Sequence, residues 1–167
     1  MTISEKTNNI LSNNELTAKI CDIVGSCLFL GYMKKYASFI GGLPGIFILL
    51  TTKDLNIAVQ SVLVIIFAAL AIFVSSKMED AANVKNPKQI VIDDALGLWI
   101  SLFALWDMTF PMIITAYIIY MTLIYFKPFP LSVFQSFKSG FGIVADATAA
   151  GMVTNLLIRL LLFKGLF

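Results

Sequence analysis

The sequence has no histidine and only two cysteines, and this scarcity limits the kinds of metal site that the chain can form. Cys21 and Cys27 lie six residues apart in an apolar stretch. A structural zinc site usually takes four ligands from cysteine and histidine, so these two thiols cannot complete one. Free cysteine is among the most often buried residue types. We therefore expect Cys21 and Cys27 to be inert packing residues.

Charged residues are also scarce, at 13% of the 167 positions, whereas hydrophobic residues make up 59%. The mean hydropathy is +0.88. Soluble domains carry about 25% charged residues, so this composition excludes an ordinary soluble protein. The net charge is only +2, and the basic residues are scattered along the chain. Such a chain lacks the basic patch of nucleic-acid-binding proteins, and we expect no nucleic-acid partner.

The chain has no Ser-, Gly- or Pro-rich linker, no internal repeat and no low-complexity tract that would divide it. Its length is that of one domain. The first nineteen residues are polar and contain Glu5 and Glu15, so they lack the basic start and apolar stretch of a signal peptide. We expect the mature chain to begin near Met1, with a polar tail over residues 1–19 and a single membrane domain over residues 20–167.

Several apolar segments are candidates for crossing a membrane, because about 20 apolar residues in a helix span the hydrocarbon core. Leu55–Val74 is the clearest, since it contains no charged residue. A shorter stretch, Ile20–Met33, is more typical of an interfacial or re-entrant helix. We predict an all-α, polytopic membrane fold of about four to five hydrophobic helices plus this short N-terminal helix. The candidate crossings are Phe39–Leu50, Leu55–Val74, Ile90–Trp106, Met108–Phe126 and Phe141–Phe163.

The positions of the lysines predict an orientation if all five segments cross. Seven lysines then share one side and two lie opposite; the seven are Lys34, Lys35, Lys77, Lys85, Lys88, Lys127 and Lys138, and the two are Lys53 and Lys164. The positive-inside rule makes the lysine-rich side cytoplasmic. Three aspartates and one of these lysines then lie at one membrane depth; they are Asp93, Asp94, Asp146 and Lys127.

Asp93 and Asp94 require an explanation, because a charge in a membrane segment costs roughly 2.5 to 3.5 kcal/mol on insertion scales. One explanation is structural, since carboxylates near a helix start favour the positive end of the helix dipole and can stay hydrated. The other is functional, since Mg²⁺ binds oxygen ligands, commonly one or two carboxylates together with substrate phosphate. The two explanations remain open at this point.

Asp146 and Lys127 each have a similar pair of explanations. Asp146 lies among apolar and small residues. One explanation is a salt bridge to a residue such as Lys138 or Arg159, and the other is a functional site. Lys127 is either a snorkelling residue at a helix end or a point charge that binds phosphate. We expect four aromatic residues to be interface and core residues rather than a substrate cage; they are Trp106, Tyr120, Tyr125 and Phe126. Small residues near Gly151 indicate close helix packing.

Three blocks of sequence, in this order and spacing, resemble phosphatidylglycerophosphatase A. They are IVIDDALGLWISL at Ile90–Leu102, FKPFP at Phe126–Pro130 and GFGIVADATAAG at Gly140–Gly151. The resemblance extends over roughly Gly31 to Leu162. It implies an all-helical, Mg²⁺-dependent enzyme of the bacterial inner membrane, with its site facing the cytoplasm. Such an enzyme hydrolyses phosphatidylglycerophosphate to phosphatidylglycerol in phospholipid biosynthesis, so the implied partners are the lipid bilayer and this lipid substrate.

The resemblance also implies site residues, position by position. The family's Asp-Glu pair falls on Asp93 and Asp94, its lysine-proline pair on Lys127 and Pro128, and the first residue of its later Asp-Asp pair on Asp146. Asp93, Asp94 and Asp146 are thus the expected catalytic residues and Mg²⁺ ligands. Lys127 is the expected substrate phosphate-binding residue.

Several charged positions of the family hold other residues in this chain. The arginine and aspartate expected on the helix before the lysine fall on Met121 and Ile124, an earlier aspartate on Asn86, and the second aspartate of the later pair on Ala147. Two hypotheses follow: an active lipid phosphatase, or a catalytically inactive relative that acts as a membrane binding or assembly partner. A small transporter would also match the hydropathy, but it leaves the three blocks unexplained.

Overall fold

The computed structural model describes residues 16–33, 37–105, 108–127, 137 and 139–166. These ranges contain helices and no β-strand, which confirms the predicted all-α class. The helices are α1 over residues 16–25, α2 (Ala37–Gly41), α3 (Leu43–Thr52), α4 (Ile57–Ala82), α5 (Ile92–Ser101), α6 (Phe110–Phe126) and α7 (Gly140–Phe163). Several residues used above lie outside the described ranges; they are Lys34, Lys35, Trp106, Pro128, Lys138 and residues 1–15.

Two helices of the described part, α4 and α7, are long and apolar enough to cross a membrane by length and composition. The α2–α3 segment and α6 are apolar but shorter. Helix α5 has ten residues, which at 1.5 Å per residue reach about half of a 30 Å hydrocarbon core. The count of four to five crossings therefore stays a prediction, and we do not treat α5 as a membrane-spanning segment.

The helix boundaries follow local sequence signals. Helix α4 is capped by Asn56, the residue before it, whose side-chain oxygen accepts a hydrogen bond from the Ala58 amide at 3.0 Å. Pro111 lies in the first turn of α6, where the missing amide proton costs least. Helix α6 ends at Phe126, and the next residue, Lys127, adopts a left-handed conformation with φ 43°. Pro128 follows it in the sequence and is incompatible with a continued helix.

Two boundaries differ from the hydropathy prediction. The apolar run Leu55–Val74 ends at Val74, but α4 continues to Ala82, because the lysine, methionine, glutamate and alanine residues that follow are strong helix formers. We expected a helix as far as Trp106, but α5 ends at Ser101 and the chain turns through Ala104, which has φ 55°. Side chains of α7 bind the carbonyl groups freed by this turn.

Helix α5 is the centre of the bundle, and it contacts α2, α3, α4, α6 and α7. Glycines allow these contacts to reach the backbone: a Cβ added at Gly151 would lie 2.4 Å from the carbonyl oxygen of Gly97, and one at Gly45 would lie 1.9 Å from that of Ala95. The predicted close packing by small residues near Gly151 is thus confirmed. Cys21 is buried in an apolar cluster, as expected for a packing residue.

The packing of α5 gives the bundle two ends of different character. We call the end formed by the start of α5, the end of α6 and the start of α7 the site end, because it carries Asp93, Lys127 and Asp146. At the opposite end, the start of α4 and the last turns of α5 and α7 come together around Asn155 and Arg159. The N-terminal segment is fixed at the site end, where the Val91 amide donates to the carbonyl of Gly25 at 2.9 Å.

Candidate functional site

A cavity of about 790 Å³ opens at the site end of the bundle. Its lining includes all four residues that the sequence singled out, namely Asp93, Asp94, Lys127 and Asp146. Residues of α2 and α6, among them Ser38 and Tyr117, form the other walls. Four side chains from three separated stretches of sequence are thus brought to a single cavity.

Lys127 and Asp146 form a salt bridge across this cavity, with Nζ 2.7 Å from Oδ2. The Asp146 side chain is 7% exposed and that of Lys127 is 29% exposed, so the pair is largely shielded from solvent. The alternative partner for Asp146, Arg159, does not pair with it. Arg159 lies about 20 Å further along α7 and donates to the Asn155 side chain and the Phe103 carbonyl. Lys138 lies outside the described residues.

Asp94 is held by a buried tyrosine. The hydroxyl of Tyr120, a fully buried residue of α6, donates to Asp94 Oδ1 at 3.2 Å. Gly97 makes room for this ring, because a Cβ at that position would lie 2.3 Å from the Tyr120 hydroxyl oxygen. We predicted Tyr120 to be an interface or core residue, and the structure places it in the core. The sequence analysis did not predict its hydrogen bond to Asp94. Tyr120 lies seven residues, or two helical turns, before Lys127, and this spacing places both residues on the same side of the helix. It was the sequence signal that could have indicated the contact.

Two carboxylate oxygens at the cavity have no hydrogen-bond partner among the described residues; they are Asp93 Oδ1 and Asp146 Oδ1, which we call the open carboxylate oxygens. Ser75 Oγ and Trp99 Nε1 share this property within the described ranges, but they do not line the cavity. A buried charged oxygen without a partner costs several kcal/mol unless a cation or donor compensates it. The open carboxylate oxygens therefore indicate where a cationic ligand would be stabilised.

The pKa values of both aspartates at the start of α5 are raised, mainly by burial. Burial, and then the charge of Asp94, raise the pKa of Asp93 well above its usual range. Burial raises the pKa of Asp94 to about 6, while hydrogen bonds from Ser38 and Tyr120 and the charge of Lys127 act in the opposite direction. Opposite charge nearby favours the ionised form of a carboxyl, so a bound cation would lower the pKa of both groups.

The donor set at the cavity can be compared with the needs of Mg²⁺, which the resemblance implies. Mg²⁺ prefers oxygen ligands and is commonly held by one or two carboxylates together with substrate phosphate and water. The open carboxylate oxygens are ligands of this kind. Within the described ranges, no three His, Cys, Asp or Glu side chains are grouped closely enough to hold an ion alone. Binding of the metal by all three of Asp93, Asp94 and Asp146 stays a prediction.

The substituted family positions fall mainly on the cavity wall. Met121, Ile124 and Asn86 all line the cavity, so its wall has fewer charges than the resemblance implies. Ala147 is buried beside Gly97 and contributes to helix packing instead. Three of the four positions thus line the cavity, and the fourth lies in the helix packing behind it.

Comparison with known proteins gives a family and a relative. Residues 23–162 match the family described as phosphatidylglycerophosphatase A. A protein of Bacteroides thetaiotaomicron named "Putative phosphatidylinositol-3-phosphatase" is 29% identical over 98 residues, which are 58% of this chain and 61% of the relative. The chain thus matches about three fifths of the length of this relative. No solved structure matches the chain.

Proposed function

The chain belongs to the phosphatidylglycerophosphatase A family, and on this premise we propose that it is a Mg²⁺-dependent phosphatase acting on phosphatidylglycerophosphate. The observation that supports the proposal most is the cavity that combines the Lys127–Asp146 pair with the open carboxylate oxygens. This arrangement offers positive charge to a phosphate and oxygen ligands to a divalent cation in one place.

In the proposed reaction, water attacks phosphorus, the bond from phosphorus to the lipid oxygen breaks, and the products are the lipid alcohol and inorganic phosphate. Lys127 binds the phosphate as a point charge, and Asp146 holds its ammonium group in position beforehand. Asp93 and Asp146 would hold the metal, with Asp94 oriented beside them by Tyr120. When bound, Mg²⁺ supplies positive charge that stabilises the transferring phosphoryl group.

The proposed location is the bacterial inner membrane, with several crossings and the cavity facing the cytoplasm. Two candidate spanning helices and the family membership support a membrane-associated protein. Single cysteines at Lys53 and Lys85, in a chain whose native cysteines are replaced by serine, test the orientation with an impermeant thiol reagent. The proposal requires labelling from opposite sides, and labelling of both from the same side contradicts it.

The activity is tested with protein purified in detergent, by measuring phosphate release from phosphatidylglycerophosphate with Mg²⁺ and with a chelator. Because of the relative's name, phosphatidylinositol 3-phosphate is the second substrate to compare. We expect Mg²⁺-dependent release that Asp94→Ala abolishes. Asp54→Asn, an exposed residue outside the cavity, serves as the matched control. No release above background at high protein concentration rejects the proposal, and activity in Asp94→Ala rejects the proposed site.

A catalytically inactive membrane partner is the second candidate function, and the uncharged side chains of Met121 and Ile124 in the cavity wall favour it. Apolar residues at several charged positions are expected of a site that no longer binds phosphate, since unpaired buried charge is costly. If the native chain is silent, the double variant Met121→Arg with Ile124→Asp tests this candidate. Gain of Mg²⁺-dependent release in that variant identifies the substitutions as the cause of the lost activity.

A further inference from the structure

Lys88 is a second basic side chain that lines the cavity, and it has no role in the reaction proposed above. It lies in the loop between α4 and α5, is exposed, and makes no ion pair with any residue in the described ranges. The ammonium group of Lys127, in contrast, lies 2.7 Å from Asp146 Oδ2, so its charge is already balanced in part. The cavity thus has one paired and one available lysine.

The loop that carries Lys88 is held in a defined turn. The Asn86 amide donates to Glu79 Oε1 at 2.7 Å. The Ile90 amide donates to the carbonyl of Pro87 at 3.0 Å, which closes a turn with Lys88 as its second residue. Pro87 and Ile90 are both buried, so the turn is anchored on the protein. A ligand-binding group on an ordered turn loses less conformational entropy when it binds.

The charge of a bound phosphate leaves a role for a second basic side chain at the cavity. A phosphate monoester carries about −1.5 to −2 charge at neutral pH. In the proposed complex, Mg²⁺ and Lys127 would balance the charges of the three aspartates, and Met121 and Ile124 offer the phosphate no further positive charge. Lysine binds phosphate as a point charge and needs no fixed geometry, so a flexible side chain at the mouth is suitable.

We propose that Lys88 is a second phosphate-binding residue, which together with Lys127 makes the cavity selective for a terminal phosphate monoester. A phosphodiester carries a single negative charge and gains less from two cations. This inference rests on the proposed phosphatase function, because it assigns Lys88 to binding of the same substrate. Lys88 is a binding residue in this scheme, and it takes no part in the bond-breaking step.

The kinetic test compares three variants of the full chain in detergent. We expect Lys88→Gln to raise KM for phosphatidylglycerophosphate about tenfold while kcat changes less than about threefold, since one charge-assisted contact is lost. Lys88→Arg should keep most of the affinity. Lys85→Gln removes an exposed lysine of the same loop that does not line this cavity, so it should match the native chain. An unchanged KM in Lys88→Gln, or an equal rise in Lys85→Gln, overturns the inference.

A binding measurement separates this inference from the proposed function. Inorganic phosphate is titrated into the native chain, Lys88→Gln and Lys85→Gln, and binding is followed by phosphorus NMR. If the native chain releases no phosphate from lipid, the phosphatase proposal fails, and Lys88 is judged by this titration alone. About tenfold weaker binding in Lys88→Gln alone supports its role. No binding to the native chain, or equal binding in all three proteins, rejects it.

Discussion

The two ends of the helical bundle use polar side chains in different ways. At the end opposite the site, Asn155 Nδ2 donates to the carbonyl oxygens of Ile100 and Phe103 at 3.2 and 3.0 Å. Arg159 Nη2 donates to those of Phe103 and Ala104 at 3.2 and 3.0 Å. These side chains satisfy backbone groups that the turn after α5 leaves without helical partners. Their contacts account for a structural role.

At the site end, two buried carboxylate oxygens have no hydrogen-bond donor among the described residues. The open carboxylate oxygens lie at a cavity of about 790 Å³, where a ligand can reach them. Native proteins satisfy most buried polar groups, so such exceptions often occur at functional sites. Ser75 Oγ and Trp99 Nε1 also lack partners among the described residues, but they do not line the cavity. The comparison therefore teaches that a polar residue inside an apolar bundle is best classified by two observations together, the contacts that it lacks and the cavity that it lines.

The largest expected effect that would break this comparison is at Asp93. Asp93→Asn keeps the shape of the side chain but removes its charge, so we expect phosphate release to fall by roughly 10²- to 10³-fold, as for loss of one group that stabilises transition-state charge. Thermal stability in detergent should stay the same or rise, because the repulsion between Asp93 and Asp94 is removed. Steady-state assays and thermal unfolding measure the two quantities.

Asp80→Asn is the control for Asp93→Asn, because Asp80 is exposed and does not line the cavity. A large drop in the unfolding temperature of Asp93→Asn, with activity lost in proportion, would show that Asp93 is a structural residue like those at the opposite end.

Substitution of Asn155 should lower the stability of the protein and leave its activity nearly unchanged, the reverse of the effect expected for Asp93→Asn. Asn155→Leu has a similar volume but leaves carbonyl groups at the end of α5 without donors, so we expect a loss of about 1 to 3 kcal/mol in stability. The kcat and KM for phosphate release should remain near native values at temperatures where the variant is folded. Met152→Leu, an exposed residue on the same helix, is the control. A stable Asn155→Leu variant with reduced kcat would break the comparison.

The structure also shows how far the sequence alone determines this architecture. Hydropathy predicts the all-α class, because apolar runs as long as Leu55–Val74 have few alternatives. It does not predict the end of α5 at Ser101, since Leu102 and Phe103 are as apolar as the helix itself. That end depends on Asn155 and Arg159, which bind its carbonyl groups from more than 50 residues away in the sequence.

The candidate site was predicted in composition but not in its internal contacts. Aspartates in apolar segments are conspicuous, and the family resemblance orders Asp93, Asp146 and Lys127 along the chain. For Asp146 the sequence suggested a salt bridge to a residue such as Lys138 or Arg159 and did not identify Lys127, because the contact depends on how α6 and α7 pack together. Tyr120 gave little signal, because an aromatic residue in an apolar helix is usually a packing residue. Pairing and orientation are properties of the assembled bundle.

The smallest effect on activity is expected for a substitution of Tyr120. It would show whether a fully buried residue at the site end has a functional or a structural role. This residue is fully buried, like a structural residue, but its hydroxyl donates to Asp94 Oδ1 at 3.2 Å. Tyr120→Phe removes that hydrogen bond and one atom from a tight contact with Gly97, so the fold should tolerate it. We expect kcat to fall about tenfold with little change in KM, because Asp94 loses its orientation before the chemical step.

Tyr32→Phe is the matched control for Tyr120→Phe, because the Tyr32 hydroxyl also donates to an aspartate, Asp22, but Tyr32 does not line the cavity. A double-mutant cycle between Tyr120→Phe and Asp94→Asn assigns the effect, because the loss from Tyr120→Phe should shrink when Asp94 is already changed. Equal losses in both backgrounds would mean that Tyr120 acts through packing alone. In that case the functional part of the site end would be confined to the charged residues at the cavity, and the hydroxyl of Tyr120 would have a structural role like the contacts of the opposite end.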